Sequence, residues 1–147
     1  MRIRLPEADE TPLLDVPVAG FAAFNGPHVG PHGYKRLRLM VFRDGEETPA
    51  GGIQGHGYAA GLHVRMVFLP EELRGRGLGR RLLARIEAEA RARGCIGAHL
   101  DAPSWQARPF HEKQDDRLFG TLPDGPPGQS RHAIMNRFDG ENRDVPA

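Results

Sequence analysis

Between an apolar run, Met66 to Leu69, and a helical repeat that begins at Leu78, the chain places Arg74-Gly75-Arg76-Gly77-Leu78-Gly79. Three glycines in so short a stretch require backbone that comes close to something, because without Cβ atoms the peptide N–H groups can converge on a ligand. The turn also opens a helix, so unpaired N–H groups and the positive end of the macrodipole favour an anion there, most often a phosphate. Strand, glycine turn and helix in that order commit the middle of the chain to a fold that mixes helices with a sheet, with a phosphate-bearing cofactor as the first expectation.

The helix predicted over Leu78 to Arg93 is the strongest periodic element. Leu78, Leu82, Ile86 and Ala90 share one stripe with Leu83 beside it, while Arg81, Arg85, Glu87, Glu89, Arg91 and Arg93 face water. Glu87 with Arg91 and Glu89 with Arg93 form i, i+4 pairs, and Gly94 is a natural stop. Upstream, Arg2 to Leu5 reads as a short strand. Val16 to Asn25 reads as a helix capped by Asp15, with Val18, Phe21, Ala22 and Phe24 as its apolar side and Asn25-Gly26-Pro27 as its end. Gly26 to Gly33 is then a loop. Tyr34 to Arg43 and Ala50 to Tyr58 form a hairpin about Asp44-Gly45, and Leu62 to Leu69 is a further strand closed by Pro70. Downstream come a strand over Ile96 to Leu100, a helix over Ser104 to Gln114, a strand over Leu118 to Leu122, a Pro123 to Gly128 loop and a last strand over His132 to Phe138. The polar stretch 139–147 reads as a frayed tail.

At 147 residues the chain fits a single domain of the usual size, about 100 to 150 residues. Its formal charge of +1 is spread without a single-sign patch, so no nucleic-acid or membrane partner is expected. One cysteine, Cys95, excludes an internal disulfide framework and fits a reducing compartment. With no signal-peptide core and no span of about 20 apolar residues, the expected setting is soluble and cytoplasmic.

Which phosphate site the turn makes is narrowed by spacing. A dinucleotide turn needs Gly-x-Gly-x-x-Gly, and after Gly75 and Gly77 the third position holds Arg80. A nucleotide P-loop ends in Gly-Lys-Ser/Thr, and Gly79-Arg80-Arg81 lacks both lysine and hydroxyl. The pattern Arg/Gln-x-x-Gly-x-Gly/Ala, read as Arg74, Gly77 and Gly79, resembles the coenzyme A pyrophosphate loop of the GNAT family, the GCN5-related N-acetyltransferases. The resemblance covers roughly Asn25 to Phe138. Val67 to Leu73 looks like the family's fourth strand and its run into the loop, and Gln106 to Lys113 with Pro126 to Gly128 looks like a bacterial subgroup's Gln-Ala-x-x-Phe-Tyr-Glu-Lys helix and Pro-Pro-Gly loop.

That resemblance implies an α/β (α+β) fold, a central mixed, mostly antiparallel sheet of six to seven strands flanked by about three to four helices, in one domain over 1–147. It implies an N-acetyltransferase that moves an acetyl group from acetyl-CoA to a primary amine of a small-molecule acceptor, by direct attack in a ternary complex, without a metal. A homodimer through the last strands is the assembly to test. The implied cofactor contacts are Val67, Phe68, Leu69, Arg74, Gly75, Gly77, Leu78, Gly79, Arg80 and Ser104, the last standing where an asparagine often binds coenzyme A. The chain departs from the family at His111, where a tyrosine usually serves as general acid, and at Gln114 to Arg117, where a Gly-aromatic turn is usual. A histidine at 111 can protonate the leaving thiolate or orient a water; it can equally be a half-buried histidine touching the cofactor. Glu72, through a water, or Glu71 can deprotonate the amine, although acidic residues ahead of a helix also serve its dipole. Asp101 can hold a cationic acceptor or cap a turn. His28, His32 and His56 lack the cysteine or acidic neighbours of a metal site. Two alternatives stay open: a coenzyme A-binding module that has lost catalysis and acts as sensor or structural subunit, and an unrelated phosphate-binding α/β protein.

Overall fold

The computed structural model describes residues 3, 4, 7, 11–105 and 117–140. After a 3-10 turn at Thr11–Leu14 come α1 (Asp15–Val29), β1 (Lys35–Phe42), β2 (Pro49–Tyr58), β3 (Gly61–Phe68), α2 (Leu78–Ala92), β4 (Gly97–Pro103), β5 (Arg117–Pro123) and β6 (Ser130–Arg137). The six strands form one mixed sheet in the order β1-β2-β3-β4-β6-β5, antiparallel everywhere except between β3 and β4. The crossover that makes this pair parallel is α2, as a βαβ unit requires. This mixed, mostly antiparallel sheet of six strands in an α+β fold lies within the six to seven strands that the resemblance implies. Two α-helices flank it among the described residues, and of the helix expected over Ser104 to Gln114, residues 106–114 lie outside them.

The core lies between α2 and one face of the sheet. Leu82, Leu83, Ile86 and Ala90 come down on Leu37, Ile53, Leu62, Val64 and Ala98, with Leu78 and Leu100 packed at the margin. The stripe read at helical spacing is the stripe that is buried. Glu89 accepts from Arg93 Nε at 2.7 Å, and Arg91 lies over the Phe138 ring, 4.7 Å from its centroid.

Three elements depart from their sequence expectations. Ile3 and Arg4 carry no strand. Helix α1 does not stop at Asn25: it runs through Gly26 and Pro27 to Val29, because a proline near the end forfeits one ladder bond while Gly30 N–H still reaches Gly26 O at 3.0 Å. Gly30, at φ +52°, is the left-handed residue that ends it. The apolar side of α1 is not buried; Phe21 is 62 % and Phe24 74 % exposed. Strand β4 runs on to Pro103 because β6 continues the ladder after β3 has left, down to the pair Pro103 with Arg131.

Candidate functional site

The parallel ladder between β3 and β4 has three rungs, Gly61 with Gly97, Leu62 with Ala98 and His63 with His99. Beyond His63 the strands part. Strand β3 stays on β2 through Val67 opposite Ile53 and Phe68 opposite Gly52, and β4 stays on β6. The sheet thus opens into a fork whose two inner edges carry backbone N–H and C=O groups that no strand among the described residues pairs, groups that require a partner wherever they are shielded from water.

The cause of the fork is readable in β2. Arg65 is a bulge: Gln54 faces Met66 while Gly55 already faces Val64, so one residue of β3 has no opposite number and the strand bends. The glycines of β2 let β3 lie against it there. A Cβ on Gly51 would come 2.5 Å from Phe68 O, and one on Gly55 would collide with the His63 carbonyl oxygen. Pressed onto β2, the open end of β3 leaves Val67 and Phe68 half exposed.

The glycine turn follows directly. Leu69 is buried, a 3-10 turn spans Glu71–Leu73, and Arg74 Nε donates to Leu69 O at 2.8 Å, tying the turn back to the strand it leaves. Gly75 and Gly77 both sit at φ +73° with open space around the position of a Cβ, so conformation and not crowding selects glycine. Gly77 caps α2 with no side-chain hydrogen bond, the first turn carries no acidic residue, and the first helical bond runs from Arg81 N to Gly77 O at 3.1 Å. The N–H groups of Leu78, Gly79 and Arg80 consequently point out of the helix without an intrahelical acceptor. Arg76, Arg80 and Arg81 stand exposed around them. Such a helix start is built for an anion.

Val67, Phe68, Leu69, Arg74, Gly75, Gly77, Leu78, Gly79 and Arg80 are thus contiguous, running from the free edge of β3 into the start of α2. Ser104 sits past the end of the other prong, where its hydroxyl donates to Gln129 Oε1 at 2.6 Å and accepts the Ser130 N–H at 3.2 Å. Glu72 accepts from Arg43 Nη2 at 2.5 Å, and that hydrogen bond is the main reason its carboxyl is held below the usual range. His111 lies outside the described residues.

The face of the sheet away from α2 carries a group of side chains that sequence inspection missed. Because Leu62 and Val64 point into the core, His63 points outward, as does His99 beside it. Their rings stack at 4.8 Å and 3°. His56, across from His63 on β2, meets it edge to face at 5.2 Å, and Tyr34 packs on His56 at 4.8 Å. Asp101, two residues past His99, places Oδ1 3.9 Å from His63 Nε2 and takes Arg131 Nε on Oδ2 at 2.9 Å. Among the described residues no three His, Cys, Asp or Glu side chains converge as metal ligands. Towards the open end of the same face, Met40, Gly52, Gln54, Met66 and Phe68 line a shallow groove of about 310 Å³.

Burial pushes His99 and His56 below the ordinary imidazole value, and the neighbouring His63 adds to it in both. Their depressed values mean that the unfolded chain binds protons first as pH falls below about 6.5. The stability they contribute is full above that value and is lost as pH drops towards the folded-state values. The melting temperature is therefore expected to fall on acidification from about pH 7.5 to about pH 5.5, and to fall less in His56→Gln. Calorimetry at the two pH values checks this.

A family model described as Acetyltransferase (GNAT) family matches residues 9–115. The blasticidin-S acetyltransferase of Streptomyces morookaense is 41 % identical over 90 residues, a stretch covering 60 % of this chain and 66 % of that protein. The crystal structure of an acetyltransferase from Bacillus cereus superposes with a TM-score of 0.78 at 28 % identity, over 93 % of this chain and 97 % of the other. The fold is also shared with the PaiA N-acetyltransferase of Thermoplasma acidophilum, solved in complex with coenzyme A, at a TM-score of 0.60 and 20 % identity over 70 % of this chain and 61 % of the other.

Proposed function

This chain belongs to the GNAT family of acetyltransferases, and on that premise we propose that it moves an acetyl group from acetyl-coenzyme A to a primary amine of a small molecule, by direct attack within a ternary complex. The observation that carries the reading is the fork between β3 and β4 opening beside the uncapped start of α2. An extended arm bearing amides matches the free edge of β3 at Val67 to Leu69, and a pyrophosphate matches the amides from Gly75 to Arg80. Both halves of the cofactor thus find complementary groups in one continuous stretch.

Bound there, acetyl-coenzyme A supplies a thioester, whose thiolate is a tolerable leaving group because a thiol's pKa is only about 8.5. The protein's part is to hold the carbonyl in the fork, donate to the developing oxyanion from backbone N–H groups, and admit the amine in neutral form. Arg74 keeps one donor on Leu69 O and has the rest of its guanidinium for phosphate. Glu72, engaged by Arg43, braces the β1 side of the loop in this reading and is not the base. His111 keeps the role of proton donor to the thiolate. The acceptor side is the outer face of the sheet, and the amine-bearing antibiotics suggested by the blasticidin-S relative head the compounds to try.

Acetyl-coenzyme A at 100 times its Kd should stabilise the folded chain by about 2.7 kcal/mol in a thermal melt, and incubation with a panel of aminoglycosides, polyamines, amino acids and nucleoside antibiotics should give at least one product heavier by one acetyl group. Protection without any product would favour a binding module. Protection by a nucleotide and none by coenzyme A would sink the reading. Thiol release can follow the reaction, because Cys95 is buried and burial raises its thiol pKa, so the folded chain should react slowly with a disulfide reagent; Cys95→Ser should leave the measured rates unchanged.

A further inference from the structure

An acceptor amine is an ammonium ion at neutral pH, with a pKa of about 10 for an alkylamine, and must lose a proton before it can attack. Resting on the acetyltransferase reading, we propose that His63 is the acceptor-side general base and that Asp101 is its positioning residue. Three features of the fold bring the assignment about. His63 forms the last rung of the β3–β4 ladder, so it stands at the apex of the fork. It points to the face opposite α2. Its ring lies flat on His99, yet its Nε2 reaches 3.9 Å from Asp101 Oδ1, and Asp101 belongs to the part of β4 that β3 has already left. The imidazole edge is thus aimed into the open side of the fork. Its side chain is 31 % exposed, enough for an amine or a single water to reach it.

The surrounding groups suit a base. Asp101 favours the imidazolium that forms, and Arg131 on its other oxygen holds the carboxylate in place. Burial pushes His99 beneath the ring and His56 at its edge below the ordinary imidazole value, and repulsion from the neighbouring His63 adds to it. Among the described residues, Arg65 on β3, Arg36 opposite His56 on β1 and Tyr34 are the further ionisable neighbours. In the step itself, Nε2 takes a proton from the ammonium. The freed nitrogen lone pair forms the C–N bond at the thioester carbonyl, whose π electrons move to oxygen. As the carbonyl re-forms, the C–S bond breaks and the thiolate leaves; the amide nitrogen's surplus proton goes to the thiolate, and the imidazolium returns its own proton to water.

The test is the pH dependence of kcat/KM for the full chain and its variants, with the acceptor found in the amine panel. His63→Gln should lower kcat/KM about 100-fold near pH 7, and the gap should close above about pH 10, where the amine has lost its proton unaided. Acetyl-coenzyme A affinity should be unchanged. Asp101→Asn should move the acidic limb to lower pH and leave the alkaline plateau in place. A His63→Gln enzyme equal to wild type at every pH, or slower by a constant factor throughout, would overturn the assignment. Should that variant fail to fold, an Asp101→Asn profile with its acidic limb unmoved overturns it instead. These results are distinct from failure of the parent reading, in which the wild type itself binds no acetyl-coenzyme A and the base falls with it.

Discussion

Gly77→Val is expected to reduce acetyl-coenzyme A affinity by a factor of about 100 to 1,000 while leaving the protein folded. Gly77 sits at φ +73°, a conformation that costs an L residue about 1–2 kcal/mol and a β-branched one more. If the valine escapes that cost by shifting φ, it swings the amides of Leu78 and Gly79 away from the phosphate they are proposed to bind, and a hydrogen bond to a charged group is worth about 1.5–3 kcal/mol. Strain kept in the free and the bound chain alike comes off stability, whereas losing both amide bonds, at the lower end of that range, takes about 3–4 kcal/mol from the bound state, and each 1.4 kcal/mol is a factor of about 10. Open space surrounds the Cβ position, so the loss cannot be steric. Gly77→Asn separates the two causes, since asparagine tolerates the left-handed region. It should keep most of the affinity that valine loses. Titration calorimetry with coenzyme A on the three proteins reads the result, and equal affinities would remove the turn from the cofactor site.

The same residue shows why part of the site was legible in the sequence. Gly75, Gly77 and Gly79 announce themselves because their role is local: positive φ and the first turn of a helix are set within a few residues, as is the buried stripe of α2. The fork between β3 and β4 has no such local signal. Nothing near Val64 says that β3 and β4 part after the His63 rung, since that depends on Arg65 bulging against β2 and on which of its glycines face carbonyl oxygens. The sequence shows that β2 is thick with glycine but not that Gly55 abuts the His63 carbonyl. The stacking of His63 on His99 was invisible for the same reason, as a parallel register joins residues far apart in the chain. The signal that could have exposed it is alternation: placed on strands with Leu62, Val64 and Ala98 inward, His63 and His99 have no direction left but outward. The pairing of Glu72 was hidden for a related cause, because its partner Arg43 comes from the end of β1 and no local pattern joins them.

Helix α2 links the stability of the fold to the cofactor site, and Ile86→Ala measures that link. Ile86 is fully buried, at 0 % exposure, among Ile53, Leu62, Val64 and the neighbouring leucines of the helix. Truncation to alanine removes three carbons from a close-packed site and should cost about 2–5 kcal/mol. At about 2–4 °C per kcal/mol for a chain near this size, the melting temperature should fall by about 4–20 °C. The helix start lies some two turns away, about 12 Å along the axis, and is fixed by other means: Arg74 bound to Leu69 O, and the left-handed glycines. Affinity for acetyl-coenzyme A should therefore stay within about a factor of three of wild type, under 1 kcal/mol, and saturating cofactor should raise both melting curves by similar free energies. A loss of affinity as large as that of Gly77→Val would mean that the helix shifts bodily when its core contact is cut. The position of its amides would then be set by packing on Leu62 and Val64, beside the last rung before the fork, and not by the turn.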